Sequence, residues 1–176
     1  MSWTDKVGSL LKQYVTSGEA AAQPAPDVHA HFDQVAEAVP QNTLAEGLAA
    51  AFRSDQTPAL GQMLSSLFSN SNGDQKAGLL NHLLSSVSPG TLMQVLSGAG
   101  LAGLVSGGTT QLTPSQAQQV SPDVVQQLAN HAENSNPSII DSLSNFYAQH
   151  TTLVKTLGGG ALAIALAKVA ERQRQA

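Results

Sequence analysis

Asp27-x-His29-x-His31-x-Asp33, with Glu37 four residues further on, gathers metal-ligating side chains at close spacing. On a helix His29, Asp33 and Glu37 recur every fourth residue and share a face, while His31 points elsewhere. Two or three ligands can arise this way, but a site needs more ligands and orienting partners from other helices. The same pattern describes a solvated helix face with i, i+4 support, and no metal is assigned to it. His131-x-Glu133 matches part of a zinc deaminase signature but lacks the Pro-Cys-x-x-Cys partner. Cysteine is absent altogether, which removes disulfides, thiol catalysis and Cys-based metal sites. No G-x-S-x-G elbow is present, and the serines fall in loops and helix caps. Acid–base work in the central region would fall to Asp123, Glu133 and Asp141, at loosely related positions. The expectation is a non-enzymatic protein with no cofactor.

Gly98-Ala-Gly100-Leu-Ala-Gly103 is a literal G-x-G-x-x-G, with Asp123 further on. A dinucleotide site needs a strand before this motif and a full helix after it. Here a Ser-Pro helix start precedes it and Gly107-Gly108 follows within a turn, so no nucleotide is expected. The glycines instead suggest close helix packing, with Gly103-x-x-x-Gly107 contributing, followed by a glycine C-cap. Gly158-Gly159-Gly160 poses the same choice between a hinge and close packing.

These residues sit on helices. Thr57-Pro58, Ser88-Pro89, Thr113-Pro114, Ser121-Pro122 and Asn136-Pro137 each pair a capping side chain with a proline at the first helical position. Apolar residues then recur at i, i+3, i+4, i+7: Leu60, Met63, Leu64 and Leu67; Leu92, Val95 and Leu96; Val124, Val125, Leu128 and Ala132; Ile139, Ile140, Leu143 and Tyr147. Thr43-Leu-Ala-Glu46 reads as a capping box, and Asp74 precedes a stripe from Leu79 to Val87. No strand pattern interrupts. The spacing predicts an all-α bundle of roughly eight to ten short helices. Its parts are an amphipathic N-terminal arm over 1–16, a linker over 17–26, a helical body over 27–154, and an apolar C-terminal helix with a basic end over 155–176.

Between Lys76 and Lys155 run 78 residues without Lys or Arg and with only Asp123, Glu133 and Asp141 as acids. A soluble domain is ordinarily about a quarter charged; this whole chain is 11% charged, with a net charge of −4. Thr113–Ala132 has the layout of a helix-turn-helix, and Gln126, Gln127, Asn130 and His131 could touch base edges. Phosphate contacts dominate such binding and need cations, so nucleic acid is not an expected partner. An uncharged surface does not repel its own copies. Self-association, or binding to another protein, is the expected role, with an apolar small molecule between helices as the alternative. Trp3, Leu10, Leu11 and Tyr14 of the arm and Leu162, Ile164 and Leu166 of the last helix are the expected contacts between chains. His82, His131 and His150 alone can add positive charge to the gap, and joint protonation below about pH 6 would favour association.

The opening Trp3-Thr-Asp-Lys-Val-Gly-Ser-Leu-Leu, the Leu/Gly/Ser-rich centre and Ser115-Gln-Ala117-Gln-Gln-Val120-Ser-Pro122 resemble the bacterial YidB-like group of helical proteins. That resemblance implies a bacterial cytoplasmic helical protein without a settled activity, and it carries over no site residues. The N-terminus lacks a basic segment followed by a long apolar one, so no secretory signal is expected. Thr156–Ala167 is apolar but shorter than the ~20 residues of a membrane span. It is expected to be a buried core helix, with peripheral contact to the inner membrane as the other reading.

Overall fold

In the computed structural model, which describes residues 3–16, 26–105 and 111–175, the chain is all-α. Eleven α-helices follow in order: α1 (Trp3–Thr16), α2 (Val28–Ala38), α3 (Gln41–Arg53), α4 (Leu60–Ser69), α5 (Gly73–Ser86), α6 (Pro89–Gly98), α7 (Pro114–Ala117), α8 (Pro122–Ser135), α9 (Ile139–Ala148), α10 (Thr151–Val154) and α11 (Gly159–Gln175). Short 3₁₀ turns lie at Ala102–Leu104 and Lys155–Leu157. The expected helical class holds, with slightly more elements than the spacing predicts. The linker segment 17–25 and Gly107 lie outside the described residues.

The helices form two compact units, one of Met1–Pro58 with Ser144–Ala176, the other of Ala59–Leu143. The boundaries at 27 and 154 expected from the sequence do not coincide with this division. Both the arm and the last helix belong to the core of the first unit. There α11 packs on α3, α1 and α2, so Leu162, Ala163, Ala165, Leu166 and Val169 are wholly buried. An apolar helix needs cover on every side, and three neighbours supply it. At the α3–α11 crossing, a Cβ on Gly47 would stand 2.7 Å from both the Ala165 carbonyl oxygen and Val169 Cγ2. Only a bare backbone fits. Half-exposed ion pairs at the rim include Lys155–Asp33 at 3.0 Å and Arg172–Glu46 at 3.1 Å; such pairs add little stability.

The second unit is built on α4 crossing α8, with α5 against α7 and α8, and α6 against α8. Gly61 makes this crossing close: its Cβ would lie 2.6 Å from Asn130 Oδ1 and 2.9 Å from the Gln126 carbonyl oxygen. Asn81 on α5 holds the chain before α7 by both ends of its carboxamide. It accepts from the Leu112 amide at 2.7 Å and donates to the Leu112 carbonyl at 3.3 Å.

Three expected helix starts are capped as the sequence suggests. Ser88, Thr113 and Ser121 each accept from the amide three residues on, with Pro at the first helical turn. Thr113 also forms a capping box with Gln116. The others need correction. The Thr57 hydroxyl donates back to the Ala51 and Ser54 carbonyls at 2.7 and 2.8 Å, sealing the end of α3, and α4 starts only at Leu60. Asn136 Oδ1 accepts from the Ser138 amide at 3.2 Å in a local turn, and α9 starts at Ile139. Thr43 lies inside α3, which begins at Gln41 behind Pro40 without a side-chain cap. The capping box of α5 is Asn72 with Gln75.

The glycine motif at 98–103 is a helix ending. Gly100 takes φ +74° and the Leu101 amide donates to the Leu96 carbonyl at 2.7 Å, closing α6 in left-handed geometry. The expected close approach is absent, because a Cβ on Gly98, Gly100 or Gly103 would meet nothing within 4 Å. Gly158, at φ +92° with equally open surroundings, acts as the turn into α11 and not as a packing floor.

A pair of variants separates these roles. Gly47→Ala should destabilise the protein by about 1–3 kcal/mol through overpacking. Gly8→Ala, in α1 where a Cβ meets nothing within 4 Å, should stabilise it by up to about 1 kcal/mol through helix propensity. Denaturant midpoints of the two variants against the parent measure both signs; a neutral Gly47→Ala would contradict the close crossing.

Candidate functional site

The metal-like cluster disperses in three dimensions. His31 Nδ1 and the Tyr14 hydroxyl share a hydrogen bond of 2.7 Å, with the rings edge to face, which fastens α2 to α1. Burial, and then the negative charge of Asp27, hold the Tyr14 phenol above its ordinary pKa, so it stays protonated. Asp33 is occupied by Lys155, while Asp27, His29 and Glu37 are exposed. Among the described residues no three His, Cys, Asp or Glu side chains are placed to hold a metal ion.

The residues expected at a contact between chains are reassigned. Leu10, Leu11, Tyr14, Leu162 and Leu166 are buried inside the first unit, and Ile164 is half-buried. The buried side chains among them pack between α1, α2, α3 and α11 of the same chain. The side chain of Trp3 lies outside the described residues. No helix among the described residues is long and apolar enough to cross a membrane.

Tyr147 is the other polar anomaly. Its ring packs edge-on to Phe52 and Phe146, and its hydroxyl is buried with no hydrogen-bond partner. Burial raises its pKa far above the ordinary value. An orphan hydroxyl of this kind costs about 1–3 kcal/mol, yet neither of the two openings described below includes it.

The first unit has a small apolar pocket of about 100 Å³ among Val7, Gly8, Leu11, Ala38, Val39 and Gln173. The second has a larger, half-open groove of about 440 Å³ between α6 and α8. Gln94, Gln127 and His131 form its polar wall, and Val95, Gly98 and Ala99 complete it. Every lining side chain is uncharged when His131 is neutral. Beside it, α6 presents Gly90, Met93, Gln94, Ser97 and Gly98 to solvent. Met93, 47% exposed, is the one large hydrophobic side chain exposed among the described residues. Sequence reading singled out Gln127 and His131 for another role and missed Met93. The missed signal was simple: Met93 stands off the Leu92–Val95–Leu96 stripe.

No family model, curated protein or solved structure matches the chain, so function rests on its own geometry.

The three histidines of the charge gap lie in different surroundings. His131 is exposed in the groove. His150 donates its Nδ1–H to the Phe146 carbonyl at 2.8 Å and lies tilted against the Phe146 ring. His82 is partly buried on α5, and that desolvation lowers its pKa. The unfolded chain therefore takes up this proton at higher pH than the folded one. The contribution is complete above about pH 6.5 and is lost as pH falls toward the depressed folded value. Denaturation at pH 7.5 and 5.5 should show a larger acid loss of stability in the parent than in His82→Gln; identical pH dependence would contradict it.

Proposed function

We propose that this chain is a non-enzymatic interaction protein that associates with copies of itself through the low-charge surface of its second unit. The carrying observation is the make-up of that surface. Among the described residues its exposed positions are mostly Ser, Gln, Asn, Thr, Gly and Pro, with Asp74, Asp123 and Asp141 as the exposed acids and Met93 as the large apolar exception. Lys76 is the only Lys or Arg in the unit. Such a face has few charges to desolvate when a second copy packs on it. The non-enzymatic part of the reading is supported by the engagement of His31 with Tyr14 and of Asp33 with Lys155, which draws two members of the metal-like cluster into separate contacts.

The resemblance to the YidB-like group extends the proposal to a bacterial, cytoplasmic setting. A second reading, binding of a small apolar molecule, is favoured by one observation, the apolar pocket beside Val7, Leu11 and Val39.

Light scattering after size exclusion at two concentrations tests the main reading. The mass should rise above the 18.1 kDa of one chain as concentration increases; a single-chain mass at both would contradict it.

A further inference from the structure

The second unit carries an apolar knob and an unfilled hole on opposite flanks of one helix. Successive residues on α6 are about 100° apart around the axis. Leu92, Val95 and Leu96 face the core and are buried. Gly90 and Ser97 occupy the middle of the outward face. Met93 lies on one flank of that face. Gln94 and Gly98 lie on the other, where they border the groove shared with Gln127 and His131 of α8. Knob and hole are therefore at the same height on the helix, within about one turn. They point away from each other, so Met93 cannot fill the groove of its own chain.

We propose that self-association runs through α6: two copies pair around a two-fold axis parallel to this helix, and Met93 of each enters the α6–α8 groove of the other. The inference rests on the self-association reading above. The symmetry decides the arrangement. A two-fold axis along the helix sets the two copies of α6 parallel and brings the Met93 flank of one against the groove flank of the other. A two-fold across the helix would set them antiparallel, with Met93 against Met93 and both grooves left unfilled.

The chemistry of the surface agrees with a second copy as occupant. Gly90 and Ser97 let the two helix backbones come close. The methionine thioether is flexible enough to settle in an irregular hole. Gln94, Gln127 and His131 then form a polar rim around a buried apolar anchor, the usual anatomy of an interface. No Lys, Arg, Asp or Glu lies on α6 to oppose the approach.

The chain has no cysteine, so introduced cysteines report geometry cleanly. Met93→Cys together with Gln127→Cys should form an interchain disulfide under mild oxidation, giving a dimer on a non-reducing gel. Met93→Cys alone should not. Met93→Glu, at an exposed position, should keep the helical spectrum and melting behaviour of the parent and weaken association at least tenfold by light scattering. A disulfide from Met93→Cys alone would replace the proposed pairing with the antiparallel one. Association unchanged in Met93→Glu, with no cross-link in the double variant, would overturn the α6 interface and leave self-association standing. A parent chain that stays monomeric at all concentrations would overturn both.

Discussion

In each unit two helix backbones meet where no side chain fits between them, and the remaining helices are arranged around that contact. Gly47 admits the Ala165 carbonyl and the Val169 methyl in the first unit, and Gly61 admits Gln126 and Asn130 in the second. A chain so poor in aromatics, at 4%, has few large side chains with which to fill wide spaces. It gains packing by bringing thin helices together instead. The alanines of α11 serve the same end: Ala161, Ala163, Ala165 and Ala170 are buried among α1, α2 and α3. Dispersion contacts between close backbones and small side chains replace the large buried areas of aromatic cores.

That economy also explains the charge gap. Short helices joined by tight turns need many caps, and Ser88, Thr113, Ser121 and Asn72 supply them at the helix starts. Ser, Asn and Gln also tie helix ends and loops together, as when Asn81 holds Leu112 or Asn70 donates to the Ser66 carbonyl. The exposed surface of the second unit is made of the same residue types. It is polar with few charges, Asp74, Asp123 and Asp141 being its exposed acids. Met93 and the neighbouring groove stand out against this background.

The class of fold was legible because helical stripes and Ser-Pro or Thr-Pro starts are local signals. Leu92–Val95–Leu96 and Val124–Val125–Leu128 are buried as their spacing demands. The contacts that local pattern does not encode are long-range. Nothing in the local pattern distinguishes Gly47 and Gly61, which floor the crossings, from Gly98 and Gly103, which face open space. Nor does an amphipathic stripe say what covers it. Leu10, Leu11, Tyr14, Leu162 and Leu166 looked available to a partner, and other helices of the same chain bury them. Thr57 and Thr43 misled for a related reason: a hydroxyl that can cap a helix start can equally seal the preceding helix or sit within one. Of the candidate site, Gln127 and His131 were visible as uncharged polar residues on a helix, but their meeting with Gln94 depends on how α6 lies on α8.

Native-state hydrogen exchange tests the central claim most directly, because the slowest amides mark the parts that open only on global unfolding. Helix-interior amides of α3 and α11 should exchange most slowly in the first unit, and those of α4 and α8 in the second. The slowest exchange in α1 or α6, with α3, α11, α4 and α8 opening readily, would contradict an organisation around the two glycine crossings.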